Sequence, residues 1–118
     1  MAQHVPMFGP TTNVTCTASD DVVGGKIVEI TGDRTVAHAG ADSAATLGVA
    51  GFDAATGDNV TVYAGGVQPL TAAEAVAAGA PVYAGAAGDA AATGTNPIGT
   101  ALTAAATAGD LFQVRLTR

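Results

Sequence analysis

The stretch Gly57–Tyr63 reads GDNVTVY, and a close variant, GDLFQVRL, occupies Gly109–Leu116. In each, a Gly-Asp turn signal is followed by residues that alternate apolar and polar, the period of a half-buried strand. The match widens on both sides. Gly25–Gly40, GKIVEITGDRTVAHAG, lines up with Gly79–Gly94, GAPVYAGAAGDAAATG. LGVAGFDAATGDNVTVY at Leu47–Tyr63 lines up with IGTALTAAATAGDLFQVRL at Ile98–Leu116. The offset is 54 residues at Gly25/Gly79 and 52 at Asp58/Asp110, so short insertions separate two copies of one unit. Two copies are too few for a solenoid, which needs roughly three or more. They predict instead one domain in which two similar β-units pack together and share a core.

Strand signals fall at Asn13–Thr17, Lys26–Ile30, Thr35–His38, Leu47–Phe52 and Asn59–Ala64, and again at Ala80–Tyr83, Ile98–Leu102 and Leu111–Arg118. Gly65-Gly66 is a hairpin signal, from which Val67–Leu70 can return as a partner strand. One short helix is predicted in Leu70–Gly79, LTAAEAVAAG, where Thr71 and Glu74 have capping-box spacing and Gly79 supplies the terminating position. The fold expected is therefore all-β: a small β-barrel or sandwich-like domain over residues 13–118, with one short helix. Residues 1–12, MAQHVPMFGPTT, read as an extended N-terminal arm, because Pro6 and Pro10 disfavour helix in their predecessors. Its bulky apolar side chains must pack back on their own domain or dock on a neighbour. Val5, Pro6, Met7, Phe8 and Pro10 are accordingly the candidate contact residues.

Composition narrows the function. Charged residues make up 12% of the chain and aromatics 4%, so the core must be aliphatic and much of the surface Thr, Ser, Asn, Gly and Ala. Ten acids against four bases, Lys26, Arg34, Arg115 and Arg118, give a net charge of −6 with no basic stripe. Nucleic acid and anionic membranes are poor partners for such a surface. No apolar run approaches the roughly 20 residues of a bilayer span, and the N-terminus lacks the pattern of a secretory signal. Synthesis in a cytoplasm as a soluble protein is the expectation. Cys16 is the only cysteine, which excludes an intrachain disulfide and a thiolate metal cage.

Catalytic templates are missing. His4 and His38 form no metal-ligand pair, and neither Ser19 nor Ser43 sits in a nucleophile elbow. Asp20-Asp21 are adjacent and would point to opposite faces of a strand. GAAGDAAATG lacks the Lys-Ser/Thr that completes a phosphate-binding loop. No enzyme, cofactor or metal is expected; the chain reads as a protein whose product is contact.

The ordered combination GGKIVEITG, LGVAGFDAATGDNVTVYAGGVQPLTAAEAVAAGAPVYAG and PIGTALTAAATAGDLFQVRL, within about residues 13–118, resembles the capsid cement, or head decoration, proteins of tailed phages. The resemblance implies an all-β, barrel-like fold and a structural virion role on the outer capsid surface. It further implies a major capsid protein as partner, bridged to its neighbours against internal DNA pressure, and a homotrimeric assembly. The alternative is a carbohydrate- or cell-surface-binding β module of a virion or envelope. That reading requires an aromatic platform, for which only Phe8, Phe52, Tyr63, Tyr83 and Phe112 are available.

Overall fold

The computed structural model describes residues 13–117. The arm, with Val5, Pro6, Met7, Phe8 and Pro10, lies outside the described residues. Five strands, β1 (Asn13–Ala18), β2 (Ile27–Gly32), β3 (Thr35–His38), β4 (Thr46–Ala50) and β5 (Asn59–Tyr63), close a barrel in the order β1-β3-β2-β4-β5. Five more form a second sheet in the order β6-β10-β9-β7-β8. These are β6 (Val67–Thr71), β7 (Pro81–Ala84), β8 (Ala90–Ala91), β9 (Pro97–Ala101) and β10 (Leu111–Leu116). The fold is all-β, as expected.

The duplication holds at the level of single backbone bonds. Val22 and Ala54 exchange both N–H···O bonds, and so do Val76 and Ala105. The Gly25 N–H donates to the Ala50 carbonyl, and that of Gly79 to Ala101. The Gly57 N–H donates to Ala18, and that of Gly109 to Ala72. All four glycines have positive φ, 87°, 84°, 89° and 91°. A side chain is strained in that region, so the Gly-Asp and Gly-Gly signals mark turns that require glycine. The closest approach recurs too: a Cβ on Gly48 would lie 2.2 Å from the Tyr63 carbonyl oxygen, and one on Gly99 2.2 Å from that of Arg115.

Strand alternation sets what is buried. On β5, Val60 and Val62 point inward; on β10, Phe112, Val114 and Leu116 do. The single shared core expected from the repeat is instead two clusters. One lies wholly in the first half, around Val28, Val36, Val60 and Val62. The other gathers Leu70, Val76, Val82, Ile98, Phe112 and Val114 of the second half around Ile27, Ala39 and Val49 of the first. Val60 and Val62 therefore correspond to Phe112 and Val114 without touching the same core. Because β2 and β4 alternate, Ile27 and Val49 fill the second cluster while Val28 and Ala50 fill the first.

Two further expectations are corrected. Residues 70–79 form no helix: Val67–Thr71 is a strand, and Ala72–Ala80 follows as turns and bridges. Two turns of helix have little stability of their own, and here the Val76–Ala105 bridge and the burial of Ala72 and Val76 hold the backbone extended. Glu74 does not cap; its carboxylate accepts the Ala92 N–H at 2.9 Å. Nor does Val67–Leu70 fold back on β5. It opens the second unit as the counterpart of β1 and pairs with β10, Phe112 opposite Leu70. The only helical turn among the described residues is a 3-10 turn at Ala86–Gly88.

Gly48→Ala and Gly99→Ala are expected to cost about 1–3 kcal/mol each, the scale of overpacking against an unyielding neighbour. Gly65→Ala, where a Cβ meets nothing within 4 Å, is expected to stay within about 0.5 kcal/mol of the parent. Urea unfolding of the three variants measures the difference.

Candidate functional site: a surface for protein contact

Polar side chains in the described residues serve mainly as structural ties. Asp21 accepts the Thr56 N–H at 2.8 Å and its hydroxyl at 3.0 Å. The first of these bonds, helped by the second, holds its carboxyl below the ordinary value. The Asp53 carboxylate accepts the Gly24 N–H, and that of Asp110 accepts the N–H groups of Ala106 and Thr107. His38 Nε2 accepts the Val23 N–H at 2.9 Å, so this histidine fastens a strand end. Cys16 is buried, and burial pushes its thiol pKa up against a smaller opposing pull from Arg34. Such a thiol is inert rather than nucleophilic.

Two shallow depressions, of about 320 and 300 Å³, draw on the same groups. The first is lined by Asp21, Asp53 and Asp58, two of whose carboxylates are engaged with backbone as above. The second lies beside Cys16, where Arg34 Nη2 donates to the Thr15 carbonyl at 2.6 Å. Among the described residues no cluster of His, Cys, Asp and Glu could hold a metal ion, and no helix is long and apolar enough to cross a membrane.

The two halves are joined by a short set of contacts from loops and strand ends. Asp42, in the loop after β3, is placed in the left-handed region (φ 54°), which aspartate tolerates. Its carboxylate accepts the N–H groups of Thr95 and Asn96, each at 2.9 Å, and its own N–H donates to Ala84. The bond from Asn96, then that from Thr95, holds the Asp42 carboxyl below its ordinary 3.8. Nearby, Lys26 pairs with Asp89, and the Gly88 N–H donates to the Ala39 carbonyl. Lys26 opens a strand expected from the sequence and Asp42 falls between two of them; their partners, 63 and 53–54 residues away, leave no local signal.

What remains for function is surface. Among the described residues, six large apolar side chains stand about half exposed or more: Val23, Ile30, Phe52, Val67, Leu102 and Leu111. Of the aromatics, Phe112 is buried and Tyr63 and Tyr83 are partly covered; the ring of Tyr63 lies over Gly51 and that of Tyr83 over Gly94. Phe52 alone among the described aromatics is openly exposed, which falls short of a glycan-stacking platform.

The described residues form a duplicated β-module in which most carboxylates bond the backbone of the module itself. The chain belongs to the phage cement protein family: the family model matches residues 8–116. It is thus a phage virion structural protein. Among solved structures it is similar to the N base of the head fiber gp8.5 of bacteriophage phi29, at 22% identity with a TM-score of 0.73. That likeness covers 91% of this chain and 94% of the other, and at this identity it speaks to the fold. No curated protein matches the sequence.

Because the Asp42 pKa is lowered in the folded protein, the stability it confers is fully present above its ordinary 3.8 and is lost as pH falls through the lowered value. Asp42→Asn keeps the shape and the left-handed backbone but removes the charge. It is expected to lower the thermal midpoint at neutral pH and to make the loss of stability between about pH 5 and about pH 2 shallower than in the parent. Thermal unfolding across that range tests both.

Proposed function

We propose that this protein docks on the outer surface of a phage head and cements neighbouring copies of the major capsid protein against internal DNA pressure. The observation that carries the reading is the family match over nearly the whole described chain. The fold agrees with it: each half is a stiff β unit, and the halves are tied at a common junction. The solved neighbour is part of a head fiber, so its name also belongs to a phage head.

Contact is the mechanism. A surface of small side chains with few long charged ones loses little conformational entropy on being covered, so modest contacts yield net binding. A trimer multiplies them: linked sites raise avidity by about 10²–10⁴ over a single contact. The arm, through Val5, Pro6, Met7, Phe8 and Pro10, supplies a further apolar contact on the capsid or on a neighbouring subunit.

Purified protein added to heads lacking it should co-sediment with them and raise the temperature at which they release DNA. Failure to bind any matching head sinks the proposal. Replacing Met7 and Phe8 by serine in the full chain should weaken binding by about tenfold or more if these side chains are anchors; unchanged binding removes the arm from the contact.

A further inference from the structure

The duplication provides an internal control for function. The comparison is cleanest where the two copies pair alike, β1 with β5 in the first and β6 with β10 in the second. The outward face of the second sheet turns apolar at four positions, although Thr61 on β5 gives way to Gln113 and Tyr63 to Arg115 on β10. Asn59 on β5 corresponds to Leu111 on β10, and Asn13 on β1 to Val67 on β6. Thr15 corresponds to Pro69, and Gly51, whose N–H donates to the Thr61 carbonyl, to Leu102, whose N–H donates to that of Gln113. Polar or absent side chains in the first half thus become apolar ones in the second. Leu111 is 72% exposed, Val67 50% and Leu102 49%.

These residues are neighbours. Gln113 faces Pro69 on β6, Arg115 faces Val67, and Leu102 borders Gln113 on the other side. Leu111, Gln113 and Arg115 alternate with the buried Phe112, Val114 and Leu116, so all three point away from the core. Leu111, at the edge of this face, is the most exposed large apolar side chain among the described residues.

Charge divides the halves the same way. Residues 1–66 carry seven acids and two bases, a net −5; residues 67–118 carry three acids and two bases, a net −1. The exposed Val23 of the first half shares a depression with Asp21, Asp53 and Asp58. The strands of both halves are nearly free of acids, Glu29 on β2 being the exception, so the difference in charge lies in the loops; the one base on β6, β9 and β10 is Arg115. A nearly neutral half with an open apolar sheet face is the half suited to lie against protein, leaving the acidic half in solvent.

We infer that the outward face of β6, β10 and β9, centred on Gln113 and edged by Val67, Pro69, Leu102 and Leu111, is the surface that docks on the shell protein. This rests on the proposed function and names the face that performs it. The occupant is an uncharged, partly apolar patch of the shell protein, with an acceptor for Arg115. A second copy is the poorer fit, because a two-fold contact between like faces centred on this patch sets Arg115 near its own counterpart.

Leu111 and Asn59 make a matched pair for the test, since each is exposed and each directly follows the aspartate of a Gly-Asp turn. Leu111→Cys and Asn59→Cys place single reactive thiols on the two faces, the native Cys16 being buried. Both should label rapidly with a maleimide in the free protein. On heads, Leu111→Cys should be protected by about tenfold or more while Asn59→Cys labels as before, and Leu111→Asp should weaken head binding by about tenfold while Asn59→Asp does not. Equal labelling of Leu111→Cys on and off the head overturns the assignment. Slow labelling in the free protein also overturns it, because the face is then already covered by a second copy or by the arm. Failure of the unsubstituted protein to bind heads is a separate result, which removes the proposed function itself and this assignment with it.

Discussion

At the junction of the halves the backbone of Gly88 lies against the first barrel, its N–H donating to Ala39. A Cβ there would sit 2.7 Å from the Ile27 carbonyl oxygen and 3.0 Å from the Lys26 Cβ, and φ is 80°. Only glycine meets both demands. Ile27, brought against the second half at this point, is a member of the second half's core. If the backbones stood apart, Ile27, Ala39 and Val49 would leave that cluster, and burial of side chains of this size contributes about 1.5–3 kcal/mol for each large one. The Lys26–Asp89 pair flanks the contact, but both side chains keep about a quarter of their exposure. Pairs with that access to water contribute little, so the shape of the backbone contact outweighs the ion pair.

The same position explains how two copies of one unit came to differ. Gly88 is the counterpart of Arg34, 54 residues earlier. Arg34 also has positive φ, 51°. In the first half its carbonyl accepts the Thr17 N–H and its guanidinium covers the Thr15 carbonyl, which seals the seam between β1 and β3. The second half keeps only a trace of that seam, the parallel bridge between Ala72 and Ala90 that mirrors Ala18 beside Val36. One copy uses the turn to close on itself; the other uses it to dock on its twin.

Much of this was legible in the sequence, because local chemistry dictated it. The strands were readable from alternation, and Gly57 and Gly109, each before an aspartate, marked turns that only glycine makes, whereas Gly79 closes a turn where the sequence suggests the end of a helix. The misread segments share a cause. LTAAEAVAAG has helical composition and a capping spacing, yet its register is set by Ala105 and Ala90, both distant in sequence. β8 is two alanines, too short for any period to register. The partner of β6 was missed because Gly65-Gly66 suggests a hairpin, whereas β10 captures the strand through a register from Leu111–Thr71 to Arg115–Val67. The candidate surface was legible only in retrospect. Leu102, Leu111 and Val67 look like core residues until the alternation of β10 and the burial of its neighbours turn them outward.

A protein that works by being pressed against another gains from rigidity more than from chemistry. Each ordered side chain at a contact costs entropy, heavily for Lys, Arg and Glu and little for Ala, Gly, Thr and Asn. Here the long charged residues are few, and several are already immobilised: Lys26 by Asp89, Glu29 by the Gly40 N–H, Glu74 by Ala92. Their entropy is spent in folding rather than at the moment of docking. The same economy accounts for carboxylates such as Asp21, Asp42 and Asp110 bonded to backbone N–H groups, where they stiffen loops. What such a scaffold presents is a face whose shape is set before its partner arrives, and preorganisation of that kind lets a small apolar patch bind.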